Sequence, residues 1–417
     1  GLPLLIGTST GGRSTYMKAG WEIRPLQSLC DNFKQDIVDG PFGSELQRKD
    51  YITEGAPVLK IQNVKPFAVE LKKMDYVSAE KFQDLKRHSY GPGDIVMTKL
   101  GAPLGASAIV EDGPDGIIVA DLVRIRAKKV DTNYLCYHLN SPKTSDFINS
   151  MQKGTTRPRV TLSVVRELPI AVPPLAEQRR IVAILDEAFE GIATAKANAE
   201  KNLRNAREVF ESHLQVLFSP GQDGWGEQTL GETYDVRDGT HDSPKYHNSG
   251  FPLITSKNLK RDGLSFDDVK LISETDYRKI NERSAVHKGD VLLAMIGTIG
   301  NPNVVEVEPD FAIKNVALLK VPKGQNGYFL RHYLSSQAVV EKMQSEAKGT
   351  TQKFVGLGYL RAFPIPVPDA SEQARVVRQM EEISTETDRL EEIYARKLAA
   401  LEELKKSLLH RAFSGEL

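Results

Sequence analysis

Two short stretches hold the residue types that grip a polyanion. Lys153-Gly-Thr155-Thr156-Arg157-Pro-Arg159 gathers three cations and two hydroxyls around glycine and proline. Lys348-Gly-Thr350-Thr351-Gln352-Lys353 repeats the pattern about 195 residues later. Lys, Arg, Ser and Thr contact phosphate oxygens, whereas Arg, Lys, Asn and Gln read base edges. The chemistry on offer is nucleic-acid binding through a phosphate clamp. Arg157 and Gln352 share one repeat position; bidentate Arg favours guanine and bidentate Gln favours adenine. A solvated turn is the plain alternative. Lower in rank stand Gln62, Asn63 and Lys65, their counterparts Lys257, Asn258 and Lys260, and Thr98 with Lys99.

Catalytic sets do not assemble. No GxxxxGK[ST] loop occurs, and Gly297-Thr-Ile-Gly300 and Gly356-Leu-Gly358 fall short of GxGxxG, so they read as turn glycines. Pro309-Asp310…Lys314 lacks the second acid a nuclease metal site needs. His241 and His247 lack further ligands at metal spacing, and His138 and His332 sit on helix-like segments without a Cys or carboxylate set, so both read as structural. Cys30 and Cys136 offer neither a disulfide framework nor a metal site, which points to a reducing cytosol. The expectation is a non-catalytic cytoplasmic chain that itself holds no cofactor and no metal.

The elements that position these residues come in two copies. Trp21-Glu-Ile-Arg-Pro-Leu matches Trp225-Gly-Glu-Gln-Thr-Leu; LKIQNVK (59–65) matches ITSKNLK (254–260). PGDIVMTKLGAPLG (92–105) matches KGDVLLAMIGTIG (288–300), Tyr134…His138 matches Tyr328…His332, and PIAVPPLAEQRRIV (169–182) matches PIPVPDASEQARVV (364–377). The order is collinear through each half, the mark of a tandem duplication. Short β-branched runs bounded by Gly, Pro, Asn and Asp, with helical patches between them, make the first part of each half an α+β unit.

After Pro173-Pro174 and after Pro368 the composition changes. Residues 175–218 have no Pro and one Gly, and residues 370–413 have neither. Each reads as one helix, roughly 65 Å long at 1.5 Å per residue. A heptad seam runs through Ala188, Ile192, Ala195, Ala199, Asn202, Ala206, Val209 and His213 in the first. In the second it runs through Ile383, Thr387, Leu390, Tyr394, Lys397, Leu401, Leu404 and Leu408. A small seam facing a large one suggests antiparallel pairing of the two helices, with the domains at opposite ends of a rod. Asn202 and Lys397 either fix register or snorkel at the edge.

Lys plus Arg and Asp plus Glu are each 55, so the net charge is +0, unusual for a nucleic-acid binder. Clustered basic residues or a basic partner would reconcile the two. No apolar run is long enough to span a bilayer. Residues 1–16 lack a cleavage-site pattern and read as an added leader before Met17.

The doubled pattern Pro-Ile-x-Val-Pro followed by Glu-Gln at the head of a long helix, with the terminal Arg411-Ala-Phe-Ser-Gly-Glu-Leu417, resembles the specificity (S) subunit of Type I restriction–modification systems over residues 21–417. The resemblance implies two target recognition domains, 17–173 and 219–368, each reading one half of a bipartite asymmetric double-stranded DNA site. It implies that the central helix (174–218) and the distal helix with its tail (369–417) set the spacer and dock two methyltransferase (M) subunits. S-adenosylmethionine would then belong to the M subunits, and ATP and Mg to restriction (R) subunits where these join. Asn301-Pro302-Asn303 departs from the Asn-Pro-Pro-aromatic motif of the partner methyltransferases. A non-catalytic adaptor that binds two proteins through duplicated domains is the alternative.

Overall fold

The computed structural model describes residues 20–101, 103–154, 157–219, 224–261, 263–350 and 352–417. The leader at 1–16, Thr155, Thr156 and Thr351 lie outside the described residues. The chain forms two compact units: the chain up to Asn198 with Lys397–Leu417, and Ala199–Arg396. Each unit thus combines one α+β domain with a part of both long helices.

The duplication is topological. In the first domain a four-stranded antiparallel sheet runs Ser107–Ile109, Ile95–Thr98, Leu122–Ile125, Ile37–Asp39. In the second the order is Gly300–Val304, Val291–Ala294, Val316–Lys320, Asp235–Asp238. Strands Ile95–Thr98 and Val291–Ala294 are buried throughout because both faces are covered. The repeated Gly-Asp turns feed them. Asp94 accepts from Gly91 N at 2.9 Å and pairs with Arg126 at 2.6 Å; Asp290 accepts from His287 N at 2.7 Å and pairs with Lys320 at 2.7 Å. Each buried carboxylate therefore has partners, as burial of a charge requires.

The Glu-Gln motif has a packing role in both copies. Gln178 and Gln373 are buried near the starts of their helices. Gln178 Nε2 donates to Pro173 O at 2.8 Å, and its Oε1 accepts from Asp131 N at 2.8 Å. Gln373 Nε2 donates to Pro368 O at 2.8 Å, and its Oε1 accepts from Asn326 N at 2.9 Å. Asp131 and Asn326 are the N-caps of helices Thr132–Leu139 and Gly327–Ser335. One glutamine thus ties the entry of a long helix to the entry of a domain helix.

These N-caps correct the register of the repeat: His138 stands opposite Tyr333, not His332. Packing agrees. Phe413 rests on Tyr134 and His138 at centroid distances of 5.3 and 4.6 Å. Phe218 rests on Phe329 and Tyr333 at 5.5 and 5.4 Å. His138 is structural, as its setting on a helix suggested: Nε2 accepts from Ala171 N at 3.0 Å, and burial pushes its pKa down to about 3. His332 is buried too, and its pKa is pushed down to about 4.

The long helices run Leu175–Leu217 and Ala370–Ser414. Within the first unit, Arg180 meets Leu417 and Lys196 meets Glu402. Within the second, Arg207 meets Glu391 and His213 meets Gln379. Rising numbers face falling ones, so the pairing is antiparallel in each unit. Ile181 and Leu185 join Leu409, Ala412 and Phe413 in the first domain's core. Leu214, Val376 and Met380 cluster with Phe329 in the second.

The seam departs from the expected heptads. Asn202 and Val209 are exposed, and Leu203 and Phe210 take their places. Lys397 and Leu404 are likewise exposed, replaced by Leu398 and Lys405. A strict 3.5-residue repeat drifts around an α-helix of 3.6 residues per turn. Steps of three, four and four, as in Ile192–Ala195–Ala199–Leu203 and Thr387–Leu390–Tyr394–Leu398, return the stripe to one face. Asn202 and Lys397 are therefore not buried register-setting groups.

Candidate nucleic-acid interface

In each domain the basic segment closes as a hairpin tip. Lys153 N donates to Arg159 O at 2.9 Å and Arg159 N to Lys153 O at 3.0 Å. Lys348 and Phe354 exchange the same bonds at 2.9 and 2.8 Å. Gly154 and Gly349 make the reversal possible, with φ of +85° and +100°, a region that disfavours side chains. Both tips are stitched to the loop that leaves the second strand of the four-stranded sheet. Gly101 N donates to Pro158 O at 2.9 Å and Val160 N to Lys99 O at 3.0 Å. Gly297 N donates to Lys353 O at 2.9 Å and Val355 N to Met295 O at 3.0 Å.

Lys153, Arg157 and Arg159 on one tip and Lys348, Thr350, Gln352 and Lys353 on the other are all exposed. None of these cations forms an ion pair among the described residues. Lys353 Nζ donates to Gln344 O at 3.3 Å. Each domain thus brings its tip residues together on a braced turn whose charge is available to an anion.

The lower-ranked residues divide. Gln62, Lys257 and Lys260 are exposed and Lys65 is half-buried. Asn63 and Asn258 are buried inside their own turns and are withdrawn as base readers. Asn63 accepts from Lys60 N at 3.0 Å and donates to Glu70 O at 2.9 Å; Asn258 accepts from Thr255 N at 3.0 Å and donates to Ser265 O at 3.0 Å. Thr98 is fully buried and donates to Pro103 O at 2.8 Å. Lys99 is nearly buried, its ammonium 2.6 Å from Asp39 and 4.7 Å above the Phe42 ring. Thr98 and Lys99 therefore support the surface rather than form it.

Lys99 points to a feature the sequence reading passed over. Asp39-Gly40-Pro-Phe42-Gly-Ser44 and Asp238-Gly239-Thr-His241-Asp-Ser243 occupy one repeat position. The signal was a repeated Asp-Gly-x-x-x-Ser, masked by unlike central residues. Both loops leave the edge strand of the four-stranded sheet. A Cβ on Gly40 would stand 2.2 Å from Val119 C, and one on Gly239 would stand 2.1 Å from Ile313 O, so each root is pressed against a neighbouring backbone. Phe42 is 56% exposed. His241 Nε2 lies 2.8 Å from Asp238 Oδ2, and its Nδ1 lies 2.8 Å from Asn315 Oδ1. Asp238 also meets Arg283 at 3.0 Å.

Among the described residues no group of three or more His, Cys, Asp or Glu could hold a metal ion, and no helix is long and apolar enough to cross a membrane. The two cysteines are buried and free, and desolvation pushes both thiols up to about 12.

The chain is similar over nearly its whole length to known specificity subunits. It is 21% identical to the putative type I restriction enzyme MjaX specificity subunit of Methanocaldococcus jannaschii, covering 95% of this chain and 93% of that protein. It is 20% identical to the type I restriction enzyme EcoKI specificity subunit of Escherichia coli, covering 95% and 89%. Its fold matches a chain solved in work on complex assembly and conformational transition of the type I R-M system, with a TM-score of 0.74 at 21% identity over 96% of this chain and 100% of that one. The HsdS subunit of Thermoanaerobacter tengcongensis matches with a TM-score of 0.59 at 22% identity over 96% and 98%. Residues 20–203 and 222–402 each match the Type I restriction modification DNA specificity domain, and the chain, with its two halves built on the same four-stranded sheet, belongs to that family.

Proposed function

We propose that the chain is the sequence-reading subunit of a Type I restriction–modification complex and contributes no catalytic group. Residues 17–173 and 219–368 each read one half of a bipartite DNA site. The long helices set the distance between the halves and dock methyltransferase subunits. The observation that carries this is the doubled hairpin tip: two basic turns, braced alike on equivalent sheets, fit two similar but unequal DNA half-sites. Exposed Lys153, Arg157, Arg159, Lys348, Thr350, Gln352 and Lys353 are the proposed contacts, with Gln62, Lys65, Lys257 and Lys260 beside them. Local clustering of this kind offsets a net charge of +0, because phosphate binding depends on the charge near the contact.

Methyl groups and strand scission come, in this reading, from partner M and R subunits, which carry the S-adenosylmethionine, ATP and Mg. Methylome sequencing of the host with and without this gene tests it. Loss of one split adenine-methylation motif is expected, and an unchanged methylome would refute the reading. Inserting seven residues in both long helices tests the spacer. The variant complex should prefer a longer gap, and an unchanged gap in a folded, binding variant would remove the ruler role.

A further inference from the structure

We propose that the loop Gly40–Ser44 is a base-reading element, with Phe42 seated against the 5-methyl group of a thymine, a contact that the equivalent loop Gly239–Ser243, with His241 in its place, does not make. The inference rests on the DNA-reading function proposed above and adds a residue that discriminates within one half-site. Phe42 is 56% exposed, yet it is not loose. Lys99 Nζ lies 4.7 Å from its ring centroid and is itself held by Asp39 at 2.6 Å, so the ring rests on a nearly buried ion pair. The glycine at the loop root leaves no room for a side chain, with a Cβ on Gly40 meeting Val119 C at 2.2 Å. An apolar ring braced from below and presented outward is built for contact rather than for the core.

Its position joins it to the hairpin tip. Lys99, which supports Phe42 with its side chain, accepts Val160 N at 3.0 Å with its carbonyl, just past Arg159. One residue therefore links the apolar reader to the proposed phosphate clamp. In the second domain the same position holds His241, whose two ring nitrogens are taken up by Asp238 and Asn315 at 2.8 Å each, so neither is left for a base edge. The loop borders an open cleft of about 410 Å³ lined by Asp242 and Asp276 as well as by Lys279 and Arg283; Arg283 is paired with Asp238 at 3.0 Å, which leaves Lys279 as the cation for a phosphate alongside. Phe contacts the thymine methyl in the major groove. The Phe–His difference then makes the two half-sites chemically unequal.

The test uses the chain assembled with its methyltransferase subunits and a duplex carrying the motif found by methylome sequencing. Each thymine of the half-site read by the first domain is replaced in turn by uracil, which removes only the methyl. Binding of the intact complex should fall roughly fourfold at one thymine, the worth of one buried methyl group. Phe42→Ala should lose a similar factor on the unaltered duplex and be indifferent to uracil there. His241→Ala should leave the uracil profile of the other half-site unaltered. Melting curves of both variants check that the fold is kept, which the exposure of both side chains favours.

A Phe42→Ala complex that binds within twofold of the unaltered one, with the same uracil profile, overturns the inference while leaving DNA reading intact. So does a half-site in which no thymine methyl matters. Failure of the unaltered complex to bind any split duplex would overturn both readings together.

Discussion

Gln178 offers the sharpest test of how a recognition domain is joined to its helix. Its amide donates to Pro173 O at 2.8 Å and accepts from Asp131 N at 2.8 Å, and the side chain is only 3% exposed. Replacing it by leucine keeps the volume close but removes both bonds, leaving a buried carbonyl and a half-buried N–H without partners. Each such group costs about 1–3 kcal/mol, so a loss of about 2–6 kcal/mol is expected. Gln178→Glu keeps the shape and turns the donor into an acceptor facing the Pro173 carbonyl, and it should destabilise at least as much. Urea unfolding of the full chain, followed by far-ultraviolet dichroism, reads the shift in midpoint at constant slope. Gln373→Leu should match it, since Gln373 makes the equivalent bonds at 2.8 and 2.9 Å. A shift below about 0.5 kcal/mol in both leucine variants, smaller than one net hydrogen bond, would refute this account of the Glu-Gln motif.

Phe413→Ala removes a ring that is 1% exposed and wedged on Tyr134 and His138; a loss of about 3–5 kcal/mol in the same unfolding assay is expected, and below about 1 kcal/mol the ring is not an anchor. His138 and His332 have pKa values pushed down by burial to about 3 and about 4, so between those values and the unfolded value near 6.5 the unfolded chain binds more protons. Stability should therefore fall as pH drops from about 6.5, by up to about 1.4 kcal/mol per pH unit for each histidine. A shallower fall between pH 6.5 and 5 in His138→Gln, measured against the unaltered chain, checks the first of these. Arg157→Ala should weaken DNA binding across sequences and reduce the slope of log affinity against log salt by about 0.9, and an unchanged slope removes Arg157 as a phosphate contact.

Much of the architecture was legible along the chain because it rests on local chemistry. The helix limits, expected at 175–218 and 370–413, emerge at Leu175–Leu217 and Ala370–Ser414. Proline at the entry and the near absence of glycine and proline thereafter leave the backbone no other stop. The duplication was legible for a similar reason: turn residues such as Gly93-Asp94 and Gly289-Asp290 are demanded by backbone geometry and persist in both copies.

What escaped depends on which atoms meet in space. Identical letters set His138 against His332, whereas the helix caps set His138 against Tyr333, because packing conserves a role and not a residue type. A rigid heptad count buried Asn202 and Lys397, whereas the true helical pitch turns them to solvent and brings in Leu203 and Leu398. For the candidate site, the basic tips could be read from composition, since exposed cations beside glycine need no partner. Asn63, Asn258, Thr98 and Lys99 could not be sorted, because a polar side chain looks the same in sequence whether it faces water or satisfies a buried turn. Phe42 was invisible for the opposite reason. An aromatic residue reads as core until the tertiary structure shows a lysine beneath its ring and solvent above it.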